Sequence, residues 1–312
     1  MNAPTRLAAY AAGLALLFGG AFAAGSFLVP ESKVDAWTEA ARADPMDHGA
    51  SASPSVRGLG LEQDGYRLGE VTAPGRTGEA GTLSFQVRGA DGDPLTAYTT
   101  SHDKDLHLIV VRSDGGQFRH VHPTMGADGT WSIPWTWTTA GTYRVFADFV
   151  PAGGDGAGAP PVTLTRAVDV VGDTADDTAP TAAAHVSTTS RVDGFTVELR
   201  GDLRAGQLSD LGFEITRDGA PVRSLEPYLG AFGHLVALRQ GDLAYLHVHP
   251  EGEEPVVGDL SGPRIDFATE APTEGRYLLY LDFQVDGRVH TATFVVDAAA
   301  GDGTGSTAGN EH

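Results

Sequence analysis

Between Leu106 and Pro123 the chain reads LHLIVVRSDGGQFRHVHP. Two short apolar, β-branched runs flank an Asp-Gly pair, and this pattern forms a β-hairpin because both central turn positions need positive φ. With Asp114 and Gly115 at the tip, Ser113 faces Gly116, His120 faces Ile109 and His107 faces His122. Facing residues share one side of a sheet, and so do residues two apart. All three imidazoles therefore emerge on one face. Opposed Cβ atoms lie roughly 4.5–5.5 Å apart, so three rings can converge on one ion with nitrogen–metal distances of about 2 Å.

The same device returns as GHLVALRQGDLAYLHVHP, Gly233–Pro250. Here Gly241-Asp242 is the expected two-residue tip, glycine first as a type II′ turn prefers. His234 then faces His249, with His247 beside it. His107 and His234, His120 and His247, and His122 and His249 all keep one separation, 127 residues. Other pieces repeat as well: LSFQV (Leu83–Val87) with LGFEI (Leu211–Ile215), and GTYRVFADF (141–149) with GRYLLYLDF (275–283). Asp148 thus corresponds to Asp282. The chain carries two copies of one module.

Outside the hairpins the pattern is the same throughout: GTLSFQV, TYRVFADF, FTVEL, YLLYLDF and TATFVVD, separated by Gly, Asp and Pro. Short alternating runs at this spacing predict an all-β protein of two tandem immunoglobulin-like antiparallel β-sandwiches. Tyr143 and Tyr277, each in Gly-x-Tyr before an apolar strand, are placed to tie a tyrosine corner, or to serve as plain aromatic core. Trp131, Trp135 and Trp137, at even spacing, read as packing on one strand face. The expected boundaries are a signal anchor or transmembrane helix (1–30), a spacer (31–58), module 1 (59–171), a linker (172–185), module 2 (186–298) and a disordered tail (299–312). The linker GDTADDTAPTAAAH contains nothing from which a core could be built.

The N-terminal expectation rests on Leu7–Val29, 23 residues without a charge, following Arg6. That length spans a bilayer core, and the basic residue places the remaining chain outside the cell. Ala21-Phe22-Ala23 offers the rival reading, a cleavable signal peptide and a secreted product. The 312 residues carry a formal net charge of −20, the wrong sign for nucleic acid and the right one for attracting cations. There is no cysteine, which excludes disulfides, thiolate zinc sites and a type-1 copper centre.

Two readings of the six hairpin histidines stand. In the first, His107, His120 and His122 hold one metal ion, and His234, His247 and His249 hold another. Imidazoles without oxygen donors suit copper first, by the Irving–Williams order, and zinc second. Asp148 and Asp282 would accept the non-ligating ring N–H and fix its tautomer. Met125 could lend a thioether to Cu(I), and His102 a further nitrogen in the first copy only, since Leu229 replaces it in the second. Met46 and His48 could form a weak capture site in the spacer, and His290 is an outsider in the second copy. In the second reading the same histidines form a hydrogen-bonded network with the carboxylates and bind no metal. The acidic EGEEP after the second hairpin reads as a solvated loop that could draw cations in.

The sequence KDLHLIVV…FRHVHPTM…GTYRVFADFVPAG, followed by LEPYLGAFGHLVALR…DLAYLHVHPEG, resembles a group of actinobacterial exported proteins that tend to be named hypothetical or heavy-metal-binding-domain proteins. The resemblance covers roughly residues 60–297. It implies a membrane-anchored or secreted double β-sandwich concerned with metal, chiefly copper. A non-enzymatic role is expected, because no Ser-His-Asp arrangement, nucleotide loop or acid/base pair accompanies the hairpins. The expected partners are metal ions and, through the N-terminal helix, a membrane. The alternative is a structural or protein-interaction module at the cell surface.

Overall fold

The computed structural model describes residues 56–152, 159–172, 185–246 and 248–301. The uncharged N-terminal stretch, Met46, His48, most of the linker, His247 and the tail beyond residue 301 lie outside the described residues. Among the described residues every regular element is a strand, and no helix is long and apolar enough to cross a membrane.

The first module contains β1 (Glu62–Gln63), β2 (Tyr66–Leu68), β3 (Ala80–Arg88), β4 (Tyr98–Thr99), β5 (His107–Arg112), β6 (Arg119–Val121), β7 (Thr124–Met125), β8 (Thr130–Thr136), β9 (Gly141–Pro151) and β10 (Val162–Val170). One sheet has the order β1-β2-β3-β8-β7, the other β10-β9-β5-β6, with β4 also on β9. The second module contains β11 (Thr189–Val192), β12 (Phe195–Arg200), β13 (Leu203–Arg204), β14 (Leu208–Arg217), β15 (Ala220–Pro221), β16 (Gly233–Arg239), β17 (Tyr245–Leu246), β18 (Val248–Pro250), β19 (Arg264–Glu270), β20 (Gly275–Val285) and β21 (Arg288–Ala299). Its sheets are β11-β12-β14-β19-β18, with β15 on β14, and β13-β21-β20-β16-β17.

Alternation builds each sandwich. Leu83, Phe85 and Val87 of β3, with Trp131 and Trp135 of β8, close on Leu108 and Val110 of β5 and Val145 and Ala147 of β9. In the second copy Leu211, Phe213 and Ile215 of β14 close on Leu235 and Ala237 of β16 and Leu279 and Leu281 of β20. Each core is pinned by its tyrosine: Tyr143 donates its hydroxyl to Thr139 O at 2.8 Å, and Tyr277 to Thr273 O at 2.8 Å. Both are tyrosine corners.

Four Asp-Gly pairs make two-residue turns with positive φ at both positions: Asp64-Gly65, Asp193-Gly194, Asp218-Gly219 and Asp286-Gly287. The pair that sets the decisive hairpin does not. Of Asp114 and Gly115 only Gly115 has positive φ, at 84°, and Gln117 adds another at 55°. Gly115 N–H donates to Arg112 O and Arg112 N–H to Gly116 O, so the tip is one residue longer than expected. A bulge at Gln117 then puts one extra residue into the returning strand. The two irregularities cancel, and Ile109 still faces His120. The second tip is also longer than expected, a loop from Gln240 to Leu243 closed by Leu243 N–H to Arg239 O. Its register too arrives as expected, with Ala237 facing Leu246.

A third apolar cluster joins the modules. Ile109, Val111 and Phe146 of the first pack against Val236, Leu238, Leu278, Tyr280 and Val295 of the second. Phe118 stacks on Tyr280 with ring centroids 3.9 Å apart, and the Tyr280 hydroxyl donates to Gly115 O at 2.7 Å. All six residues of β5 are consequently buried. Its even-numbered side chains fill the first sandwich and its odd-numbered ones, beginning with His107, meet the other module.

Candidate functional site

The histidine face of β5 is therefore an interface. His107 shares it with Ile109 and Val111, and His120 reaches it from beside Ile109 on β6. On β16, His234 lies on the same face as Val236 and Leu238, which belong to the intermodular cluster. The two faces meet, and the rings meet with them. His234 stacks on His107 with 7° between planes and 5.3 Å between centroids, and His120 lies 4.8 Å from His234. His122 is 5.1 Å from His107, and His102, from the loop before β5, is 5.4 Å from His234. Ligand-competent nitrogens of His107, His120 and His234 lie within 4.8 Å of one another.

Hydrogen bonds fix where the protons sit. His120 Nδ1 is 2.9 Å from Asp282 Oδ2, and the two side chains are 1% and 4% exposed. A carboxylate accepts, so His120 carries a proton on Nδ1, and in the neutral ring Nε2 has a lone pair. His107 Nε2 is 3.0 Å from Ser101 O, which can only accept, so the proton of His107 is on Nε2 and the lone pair on Nδ1. These two lone pairs face each other across 3.1 Å. His122 Nε2 also approaches His107 Nδ1, at 3.2 Å.

The carboxylates obey the repeat. Asp148 is the ladder neighbour of His107 and accepts from Thr163 at 2.6 Å; Asp282 is the ladder neighbour of His234 and accepts from Thr291 at 2.6 Å. Asp282 does bond a histidine ring, but across the interface, on a histidine of the other module. His107 turns to Ser101 rather than to Asp148. Burial, then the neighbouring His120, pushes His107 down to about 3, and the same two causes push His122 to about 3. Burial pushes His234 well below the usual range. Burial raises Asp148 to about 6 despite its bond from Thr163.

One histidine set per module was expected; among the described residues the rings gather instead into one cluster across the modules. His107, His120 and His122 come together as the register required, but they do so with His234 of the second module. His249 does not face His234. The returning strand switches sheets earlier in the second copy: Val248, the counterpart of Val121, already pairs with Thr269 of β19, and His249 pairs with Ala268. Its ladder partners lie in the opposite sheet, and its side chain is exposed. His247 lies outside the described residues. Met125 is on β7 and packs against the first core, away from the interface. His102 belongs to the cluster; Leu229, its counterpart, has the same left-handed backbone (φ 57° against 49°) with an apolar side chain. His290 is buried elsewhere and bonds Asp193 at 2.8 Å. Ser101 and Thr291 were not legible as site residues, since their roles are a main-chain carbonyl and a support to Asp282.

A cavity of about 40 Å³ opens beside the rings, lined by His102, His107, His234, Asp148 and Lys104 among others. A larger cleft of about 770 Å³ also has His102 in its wall, with Glu251, Glu253, Glu254 and Asp259.

Two tandem β-sandwiches that share a buried histidine cluster define a double-module all-β protein. The chain belongs to the family described as "Domain of unknown function (DUF8832)", whose model matches residues 61–163 and 190–300, one stretch in each sandwich. No curated protein matches it. Among solved structures it is similar to Salmonella alpha-2-macroglobulin reacted with methylamine (15% identity, 79% of this chain and 15% of that one, TM-score 0.25). It is also similar to the Yersinia pseudotuberculosis adhesin InvE (12% identity, 76% and 60%, TM-score 0.22). A third is a putative membrane anchored protein from Corynebacterium diphtheriae (11% identity, 77% and 60%, TM-score 0.22). The chain spans less than two thirds of each of these proteins. Identities and TM-scores this low carry nothing about function.

Proposed function

We propose that this is a non-catalytic structural or protein-interaction module of the cell surface, in which a buried histidine–carboxylate network locks two β-sandwiches into one body. The carrying observation is the His120–Asp282 bond, made between modules inside an apolar interface. Apolar contact alone is non-directional, whereas a buried polar pair penalises every relative placement that leaves it unpaired. The cavity beside the rings, about 40 Å³, is far below the 300–1,000 Å³ of an organic-ligand pocket, which argues against chemistry on a substrate there. Export is supported by Arg6 and the uncharged run that follows it, as membrane anchor or cleaved signal. The test is denaturant unfolding of the full chain followed by signals from each module. One shared transition, lowered as a whole by Asp282→Ala, is expected. Two independent transitions, with only the second module responding, would refute the lock.

A second reading, transition-metal binding with copper favoured over zinc, is supported by the meeting of His107, His120 and His234. It is compatible with the first, because an ion held between modules would strengthen the same lock.

A further inference from the structure

We infer that the interface holds one divalent transition-metal ion per chain, Cu(II) or Zn(II) in chemical class, with His107 Nδ1 and His120 Nε2 from the first module and His234 from the second as ligands. This rests on the metal-binding reading and changes its composition: one site shared between modules, in place of one in each hairpin.

The proton accounting supports it. His107 Nδ1 and His120 Nε2 point lone pairs at one another across 3.1 Å, because each ring has committed its N–H to Ser101 O or Asp282. Between neutral rings the facing lone pairs repel, and either a further proton on His120 Nε2 or a metal ion at the pair turns the contact attractive. If His122 places its own proton on Nε2, it can serve His107 Nδ1 at 3.2 Å, which leaves His120 Nε2 bare in a side chain 1% exposed. A buried acceptor without a partner carries a desolvation cost that ligation removes.

The distances agree with this. Two nitrogens on one tetrahedral ion at about 2.0–2.1 Å lie about 3.3 Å apart, close to the separations seen here. The ligand nitrogens of all three rings lie within 4.8 Å of one another, so His234 has to move closer for one ion to bind all three. The adjoining cavity is the size of an ion with a water.

Charge and access fit as well. Asp282 is bonded to a ligand ring, the carboxylate–histidine arrangement that orients metal-bound imidazoles, and Asp148 lines the cavity. Two carboxylates balance one dication. Lys104 in the cavity wall opposes this, and the acidic cleft that meets His102 from outside, with Glu251, Glu253 and Glu254, offsets it and offers cations a way in.

The experiment is calorimetric titration of the full-length chain, and of His120→Ala, His234→Ala, Asp282→Asn and His249→Asn, with Zn(II) and with Cu(II), each variant checked for folding by circular dichroism. One ion per chain is expected. Affinity should fall at least tenfold in His120→Ala and His234→Ala, and about 10–100-fold in Asp282→Asn. His249→Asn, whose ladder partner lies in the opposite sheet, should change it by less than His234→Ala does. Should His120→Ala fail to fold, His234→Ala and the nitrogen hyperfine pattern of the Cu(II) spectrum still decide. Two ions per chain, or one ion indifferent to His234→Ala, overturns the shared site while metal binding stands. No saturable uptake overturns both, and leaves the structural reading to its own unfolding test.

Discussion

Asp282 accepts from two donors at once, the His120 Nδ1–H of the other module and the half-buried Thr291 hydroxyl of its own. Asp282→Ala leaves both donors unpaired. The expected cost is about 2–4 kcal/mol of unfolding free energy by urea titration, and Asp282→Asn, which keeps one acceptor oxygen, should cost less than half as much. The metal-free protein should also be acid-labile. His107 and His122 titrate near 3 and His234 well below its ordinary range, against about 6.5 in the unfolded chain. Between those values the unfolded chain holds more protons, so stability falls as pH drops below about 6.5. Asp148 acts oppositely: raised to about 6, it destabilises at neutral pH, and that penalty is relieved as pH falls through 6. Three histidines outweigh one carboxylate. The urea midpoint should decline steadily from pH 7 to pH 4, and a midpoint rising over that range would contradict the buried neutral rings.

The hairpin β5–β6 carries the first three histidines, and its tip is fixed by what it touches. Gly115 and Gly194 share the same φ, 84°, but a Cβ on Gly115 would run into Leu278 Cδ1 and crowd Tyr280 Oη, while one on Gly194 meets nothing. Gly194→Ala should cost only the left-handed strain, about 1–2 kcal/mol. Gly115→Ala should cost about 1–3 kcal/mol more, because it also wedges the interface. Equal losses in parallel urea titrations would mean that the tip does not pack as described. The tyrosine corners give a second test at this scale. Tyr143→Phe removes a buried hydroxyl from Thr139 O, with an expected loss of about 1–2 kcal/mol.

Among the described residues the inner sheets of the two sandwiches bury each other through Ile109, Val111 and Phe146 on one side and Val236, Leu238 and Tyr280 on the other. Ile109→Ala should therefore lower a single common transition by about 2–5 kcal/mol, though Ile109 belongs to only one sandwich. Module 1 produced alone should self-associate, since it would expose that apolar face, and sedimentation would show it. A monomeric isolated module would mean the interface contributes little. Much of this architecture was legible: the strands, the duplication, the tyrosine corners and the shared face of His107, His120 and His122. The interface left a trace as well, in LHLIVV and HLVAL. These runs are apolar on both faces where a sheet with one solvated face would alternate.

By itself the sequence determined which residues share a face, because side-chain direction in a strand has period two and register follows from turn length. Even where both hairpin tips adopted turns other than those expected, the buried side of each strand held the pairing in place. The early sheet switch of the second copy, which pairs His249 with β19, was not written locally, because β19 lies beyond the hairpin and competes for the same backbone hydrogen bonds. What lies opposite a face was decided only by the tertiary structure. His120 and Asp282 are 162 residues apart in the chain, and nothing near either names the other. They meet because two sheets, each with an apolar outer face, had to remove those faces from water, and the histidines at the head of each strand went with them.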